Sequence, residues 1–169
     1  MDETILTVTL SALLIVAIIG GMIIGRRNRT KRQRYIAHPL EVPQYILDQQ
    51  PSAMANGIYV TTILGNHLLE RVTAHSLGNR SQGQLEVHPT GVAILRAGEP
   101  NIFIPTSDII TSATVSGMAG KFVEKDGLLA ITWWLDETEV TTGFRAETIE
   151  EHQALRTQLD TLTNGRQTA

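Results

Sequence analysis

Hydrophobic residues are continuous at the start of the chain and periodic further along. Residues Ile5 to Ile24 are twenty consecutive uncharged and mostly apolar positions. A helix rises about 1.5 Å per residue, so twenty residues reach roughly 30 Å, the thickness of a bilayer's hydrocarbon core. The pattern predicts a transmembrane helix over residues 5–24, preceded by a short extracytoplasmic tail at residues 1–4.

Charged residues flank this apolar run asymmetrically. Asp2 and Glu3 precede it, and a basic juxtamembrane collar at residues 26–34 follows it, formed by Arg26, Arg27, Arg29, Lys31, Arg32 and Arg34. Positive charge beside a span is retained on the cytoplasmic side. We therefore expect the protein in the plasma (inner) membrane, with its N-terminus outside and the remainder in the cytoplasm. A cleaved signal peptide would carry its positive charge before the apolar run instead.

Two glycines near the end of the apolar run, Gly21 and Gly25, lie four residues apart. Small residues at this spacing let two membrane helices approach closely. A homodimer through Gly21 and Gly25 is therefore one hypothesis, although the same spacing is common by chance.

The segment after the collar contains three prolines. Pro39, Pro43 and Pro51 each remove a backbone donor and restrict the preceding residue to extended conformations. This composition predicts a stalk over residues 35–55. The stretch Val42 to Leu47 could still form a turn of helix or pack on the domain that follows.

From residue 56 onward the apolar residues alternate with polar ones, as in half-buried strands. Turn sequences rich in Pro, Gly, Asp and Ser separate the alternating stretches. Seven strands are predicted: the run from Gly57 to Ile63, then Gln84–His88, Val92–Arg96, Asn101–Ile104, Ile109–Ser116, Leu128–Leu135 and Glu139–Phe144. Short strands at these spacings predict an antiparallel β-barrel or sandwich.

The last element has a helical pattern. Thr148 and Glu151 have the spacing of a capping box, in which each side chain satisfies a backbone amide near the other residue. Leu155, Leu159 and Leu162 then recur at helical spacing, and Gly165 provides a stop. The domain is therefore predicted to be mainly β, to cover residues 56–164, and to be closed by a C-terminal α-helix, with a tail at residues 165–169.

Charge and composition exclude several classes of function. Beyond the collar the chain holds eight basic residues against fifteen acidic ones, a net charge of −7. Such a domain is poorly suited to nucleic acid, which attracts basic surfaces. The chain has no cysteine and no metal-binding histidine spacing, so we expect no metal and no cofactor. No motif of a nucleophile or general base is present, and the protein is predicted not to be an enzyme.

Two features are candidates for partner contact. The first is the polar, glycine-flanked stretch from His75 to Gly83, with His75, Ser76, Asn79 and Arg80 as its candidate partner-binding or ligand-binding residues, because long loops on rigid scaffolds often carry binding function. The second is the pair Trp133 and Trp134, whose side chains must point to opposite faces of a strand. Trp133 shares a face with Leu129 and Ile131, so Trp134 is the candidate exposed aromatic residue.

The order of elements resembles that of pleckstrin-homology-like (PH-like) domains, in which a C-terminal helix closes a bent antiparallel barrel of seven strands. The whole chain is similar to a family of small actinobacterial single-pass membrane proteins with a cytoplasmic PH-like domain, often labelled export, transporter or membrane proteins. The likeness lies in residues Gly57–Leu64, Leu69–Val87, Asn101–Ile109, Gly117–Lys121, Gly127–Leu135 and Thr142–Thr148. It implies a fold and a location but assigns no chemical role to any residue.

Two functions remain open. In the first, the protein is a non-enzymatic interaction or scaffold module, held at the bilayer by its helix, that binds a protein partner on the cytoplasmic face. In the second, it is an accessory subunit of a membrane export or transport complex. A single helix encloses no aqueous path, so the protein cannot transport alone.

Overall fold

The computed structural model describes residues 3–33, 35–65, 70–122 and 127–164, with side chains left out at residues 3–6, 24, 26–32, 121 and 122. The chain divides into two units, Met1–Tyr35 and Ile36–Ala169.

The first unit contains one helix, α1, from Glu3 to Arg32. Its described apolar side chains are exposed, among them Leu10 (68%), Val16 (67%) and Met22 (72%). Within the described part of the chain, no helix combines the length and the apolar character needed to cross a membrane, so the predicted span at residues 5–24 is not found there. The collar side chains from Arg26 to Arg32, and Arg34 entirely, lie outside the described residues.

The second unit begins with a segment that differs from the predicted stalk. Ile36 is buried in the main core of the domain, and Ile46, on the short helix α2 (Gln44–Leu47), is fully buried against Ala93 and Phe103. The Phe103 amide also donates to the Leu40 carbonyl over 2.8 Å. Burying an isoleucine is worth about 2 kcal/mol, so these apolar residues pack on the sheet despite the neighbouring prolines.

Seven antiparallel strands form one sheet, which confirms the predicted number of main strands. The strands of the domain are β1 (Ala53–Leu64), β2 (Ser81–His88), β3 (Gly91–Arg96), β4 (Ile102–Pro105), β5 (Ile109–Val115), β6 (Gly117–Met118), β7 (Lys121–Phe122), β8 (Leu128–Leu135) and β9 (Thr138–Ala146). The main sheet has the order β4-β3-β2-β1-β9-β8-β5, and β6 pairs with β7 in a separate hairpin.

The sheet is not closed, which corrects the expected barrel. Its two outermost strands are β4 and β5, which are joined by a short 3-10 turn (Thr106–Asp108) and do not pair with each other. The Leu40 backbone lies along the outer edge of β4 instead. The sequence pattern defines the strands but leaves open how the two edges of the sheet are arranged.

Two glycines allow neighbouring strands of the sheet to approach closely. Gly57 on β1 pairs with Gly83 on β2, and a Cβ atom at Gly57 would lie 2.1 Å from the Arg145 carbonyl oxygen. Only a residue without a side chain allows this approach between β1 and β9. On one face of the sheet, Tyr59, Trp133 and Phe144 form part of the core.

Helix α3 (Ile149–Asn164) covers this core, as predicted. The Glu151 amide donates to Thr148 Oγ1 over 3.2 Å, and the Thr148 amide donates to Glu151 Oε2 over 3.3 Å, so the capping box is confirmed. Leu155 and Leu159 are fully buried, and Leu162 packs at the margin. Ser112 on β5 donates to Asp160 and fastens the helix beside the edge of the sheet.

Candidate functional site

The predicted partner loop belongs to the connection between β1 and β2, and residues 70–80 of that connection are called the β1–β2 loop. It contains a 3-10 turn at Ala74–Ser76. His75 and Ser76 both have positive φ angles, 52° and 59°. This left-handed conformation costs about 1 kcal/mol for each non-glycine residue, so other contacts must hold the loop in place.

His75 joins the loop to the N-terminal segment of the domain. Its Nε2 atom lies 2.9 Å from the Ile36 carbonyl oxygen, which can only accept, so Nε2 carries the proton and donates. The imidazole ring also packs on that of His38, with ring centroids 3.7 Å apart. One of the two ring nitrogens of His75 therefore already forms a hydrogen bond within the protein.

Arg96, at the end of β3, holds the β1–β2 loop in place through hydrogen bonds. Its Nη1 donates to the Ser76 carbonyl over 3.0 Å, and its Nε donates to the Pro100 carbonyl over 2.7 Å. The guanidinium lies 4.7 Å from the centre of the Tyr59 ring, a cation–π contact, and the residue is only 5% exposed. Burial lowers the pKa of Arg96, yet a guanidinium stays protonated in proteins.

Tyr59 begins a buried chain of hydrogen bonds that links the loop to the centre of the sheet. Its hydroxyl donates to the Leu77 carbonyl over 2.7 Å and contacts Thr62 Oγ1 at 2.6 Å. Thr62 contacts Thr142 at 2.8 Å, and Trp133 Nε1 donates to Thr142 over 2.9 Å.

The direction of donation along this chain is fixed by its two ends. An indole N–H can only donate and a carbonyl can only accept, so each hydroxyl donates toward Leu77. Burial raises the pKa of Tyr59 to about 12, which keeps the phenol protonated and able to donate at physiological pH. Hydrogen bonds in such a chain strengthen one another in a low-dielectric interior.

The outer side of the loop presents polar groups in a fixed arrangement. Asn79 Nδ2 donates to Glu99 Oε1 over 2.7 Å, and this bond, with one from the Ser76 hydroxyl, lowers the pKa of the Glu99 carboxyl. Asn79 and Arg80 are exposed, whereas His75 and Ser76 are half-buried. The surface therefore offers an amide, a carboxylate and a guanidinium for hydrogen bonding with a ligand or partner.

The structure places the four predicted loop residues together and the remaining candidates elsewhere. Trp134 lies on β8, opposite Glu139, and is 45% exposed, whereas Trp133 is 2% exposed. The collar residues lie outside the described side chains. Among the described residues, no group of three or more histidine or acidic side chains is arranged to hold a metal ion.

Sequence reasoning missed Arg96, which organises the site. Val92 and Ile94 alternate with Arg96 on the core face of β3, and all three are buried. A charged residue at a core-facing position of an alternating strand requires internal partners. That signal was present in the sequence and points to a buried structural arginine.

Comparison with known proteins identifies the family of the chain. A family model described as bacterial PH domain-like matches residues 37–160. Among solved structures, one of Vav1 inhibited by an allosteric inhibitor is 11% identical, with a TM-score of 0.43; the match covers 83% of this chain and 34% of that one. No curated protein matches the chain. Because the family model covers more than half of its length, the chain belongs to the bacterial PH domain-like family.

Proposed function

We propose that this protein is a non-enzymatic interaction module anchored by α1 to the cytoplasmic face of the plasma membrane, where its PH-like domain binds a protein partner through the β1–β2 loop. PH-like domains are generally binding modules for proteins or lipids rather than catalysts.

The observation that carries the proposal is the preorganised β1–β2 loop. Of the two consecutive left-handed residues, Ser76 is held by the buried Arg96 and His75 by the Ile36 carbonyl. Tyr59 fixes the Leu77 carbonyl. A loop that is already ordered loses little conformational entropy on binding, so its contacts contribute more fully to affinity. The exposed Asn79 and Arg80 lie at the end of this ordered segment.

Support for the anchor comes from α1. Apolar side chains are exposed along its described length, for example Leu13 (63%), Leu14 (62%) and Ile18 (54%). A helix that is apolar all round requires a covering of lipid or protein. The adjoining collar sequence carries six basic residues, the arrangement retained on the cytoplasmic side of a bilayer.

The charge of the loop favours a protein over an anionic lipid headgroup. Arg71, His75 and Arg80 are accompanied by Glu70 and Glu99, and the domain as a whole is acidic. Recognition of an anionic headgroup depends on accumulated basic charge, which this surface lacks. A protein partner can instead use the mixed hydrogen-bonding groups of Asn79, Arg80 and Glu99.

Site-specific crosslinking tests the proposal. A photo-reactive amino acid at Arg80 in the full chain should capture a protein in native membranes, and Asn79→Ala should reduce that capture without lowering the melting temperature. The exposed Ser107, in the turn after β4, provides the matched control position. Equal capture from positions 80 and 107, or capture that Asn79→Ala leaves unchanged, would exclude the loop as the binding surface.

The identity of the captured protein separates the two functions. A soluble cytoplasmic partner supports the scaffold role, whereas a polytopic membrane protein supports an accessory role in an export or transport complex.

A further inference from the structure

Exposed apolar side chains are concentrated at the start of the domain. Among the described residues from 36 to 164, seven large hydrophobic side chains are exposed, and four of them lie within residues 40–54. These four are Leu40 (55%), Tyr45 (55%), Leu47 (43%) and Met54 (51%). Single exposed apolar residues are common on protein surfaces, but a contiguous group of them marks a surface that contacts protein or membrane.

Strand pairing brings the two ends of this stretch onto one face of the sheet. A row of cross-strand partners crosses β1, β2, β3 and β4 and ends beyond the edge of the sheet, and it consists of Met54, Glu86, Ala93, Phe103 and Leu40. Partners share a face and neighbouring strands lie about 4.8 Å apart, so the row spans roughly 19 Å. Ile46 of α2 packs on Ala93 and Phe103 within this row. Leu40 and Met54 therefore flank α2.

The other two exposed residues are presented by α2 itself. Ile46 is fully buried, and the Asp48 amide donates to the Gln44 carbonyl over 3.2 Å, so this short turn is ordered. Successive helical residues are rotated by about 100°, so Tyr45 and Leu47 project on either side of Ile46. We call the whole surface the α2 patch, and it consists of Leu40, Tyr45, Leu47 and Met54.

The chemistry of the α2 patch fits the headgroup region of a bilayer. Tyrosine is enriched at that depth, where its ring is covered and its hydroxyl stays in water. Residues 40–54 include Glu41 and Asp48, both exposed, but no lysine or arginine. Attraction to anionic headgroups therefore contributes nothing here, because it requires basic side chains. A contact made by this patch is apolar, and the two carboxylates can remain hydrated beside it.

The position of the patch in the sequence favours a membrane over a protein as its partner. Six residue steps separate Arg34, the last residue of the basic collar, from Leu40. Chain geometry limits that separation to roughly 20 Å. With the collar at the bilayer surface, as the proposed anchoring requires, the patch is tethered close to lipid headgroups. Tethering raises the effective concentration of that surface, an advantage that a free protein partner lacks.

We infer that the α2 patch contacts the headgroup region of the membrane and thereby sets the orientation of the domain on the cytoplasmic face. This inference rests on the proposed anchoring by α1 and extends it. The domain lies against the bilayer through an ordered apolar surface, whereas a flexible stalk would let it rotate freely. Partner binding through the β1–β2 loop is a separate claim.

Fluorescence quenching in proteoliposomes tests this inference. The full chain is reconstituted in phosphatidylcholine vesicles that contain a lipid with a nitroxide on its headgroup. The chain has no native cysteine, so Leu47→Cys and Ile110→Cys each provide one site for a bimane label. Ile110 is the matched control, because it is 41% exposed and lies on β5, at the opposite edge of the sheet from β4.

The label at position 47 should be quenched about threefold more strongly than the label at position 110, because only the former lies at headgroup depth. Quenching at position 47 should persist in about 0.5 M salt, since salt screens charge interactions but does not weaken an apolar contact.

Further substitutions test the patch as a unit. With the label placed at Met54→Cys, the double substitution Tyr45→Ser and Leu47→Ser should reduce quenching about twofold, because the remaining apolar area is small. Ile149→Ser, at a residue that is 73% exposed and outside the patch, should leave quenching unchanged. Melting temperatures should stay within about 2 °C of wild type, as expected for exposed positions.

The outcomes separate this inference from the anchoring on which it rests. A chain that stays in the vesicles after a carbonate wash but shows equal quenching at positions 47 and 110 overturns the inference and leaves the anchor standing. Release of the chain by the wash overturns both. Quenching that salt abolishes, quenching that the double substitution leaves unchanged, or disulfide crosslinking of Leu47→Cys between two copies would also overturn the membrane contact.

Discussion

Arg96 is the residue on which the shape of the β1–β2 loop most depends. It is buried, charged and satisfied by two carbonyls and an aromatic face, and one of those carbonyls belongs to a residue with a strained backbone. The hydrogen bond from Arg96 therefore offsets part of the free-energy cost of the left-handed conformation at Ser76. Arg96 therefore affects both the stability of the domain and the conformation of the β1–β2 loop.

Replacing this arginine should loosen the loop. Arg96→Met leaves the Ser76 and Pro100 carbonyls without their donors and should lower the free energy of unfolding by about 2 to 3 kcal/mol. Amide hydrogen exchange at residues 77–79 should accelerate more than in β8. The exposed Arg80→Met is the matched control, and its effect should stay within about 0.5 kcal/mol. Equal effects of the two substitutions would contradict the structural role assigned to Arg96.

Tyr59 gives the domain a pH dependence at alkaline pH. Its folded-state pKa of about 12 lies above the usual value of 10.0, so the stabilisation is complete below pH 10 and is lost as the pH rises from 10 to 12. Two pKa units correspond to about 3 kcal/mol. Chemical denaturation between pH 9 and 12 should show this decline.

The variant Tyr59→Phe isolates that contribution. It should be less stable at pH 8, because the Leu77 carbonyl loses its donor, and it should decline less between pH 10 and 12. Tyr45→Phe removes a tyrosine that is 55% exposed and serves as the control, with a profile expected to match wild type. A decline of the same size in Tyr59→Phe would assign the alkaline transition to another group.

Among the secondary-structure elements, α3 shows the clearest agreement between local sequence and fold. Its cap and its leucine spacing are encoded within residues 148–162, and both are present. Strand β8 has the predicted bounds, Leu128–Leu135, because alternation and flanking turn residues agree there. Predictions of this kind succeed because each depends on neighbours in sequence.

Elements that depend on distant partners were harder to predict. β1 begins at Ala53, four residues before the predicted start, because its first residues pair with β2, where Ala53 lies opposite Val87. The burial of Ile36 and Ile46 and the open edge of β5 likewise depend on contacts far apart in the chain. The loop's residues were named from the sequence as a candidate site. Tyr59 was not, because its hydrogen bonds join residues far apart in the chain, whereas the place of Arg96 on the core face of β3 was a signal that the sequence carried.

The capping box offers a test at the scale of one helix. Thr148→Ala removes the acceptor for the Glu151 amide and should destabilise the domain by about 1 kcal/mol in equilibrium unfolding. Thr161→Ala, on the exposed face of the same helix, should change stability by less than about 0.5 kcal/mol. A smaller effect at Thr148 than at Thr161 would show that the cap does not stabilise α3.

At the scale of the whole molecule, the proposal places the domain inside the cell. The chain has no native cysteine, so Asn79→Cys introduces a single, exposed thiol in the β1–β2 loop. A membrane-impermeant maleimide should leave this thiol unlabelled in intact cells and label it after lysis. Labelling before lysis would place the domain outside and reverse the proposed orientation.

Membrane attachment is the claim on which the proposed function depends, and fractionation with an alkaline carbonate wash tests it most directly. The full chain should remain in the membrane pellet. A variant with Leu14→Arg and Ile18→Arg should be released, because each central arginine costs about 2.5 to 3.5 kcal/mol on insertion. Recovery of the unaltered chain in the soluble fraction would contradict the account.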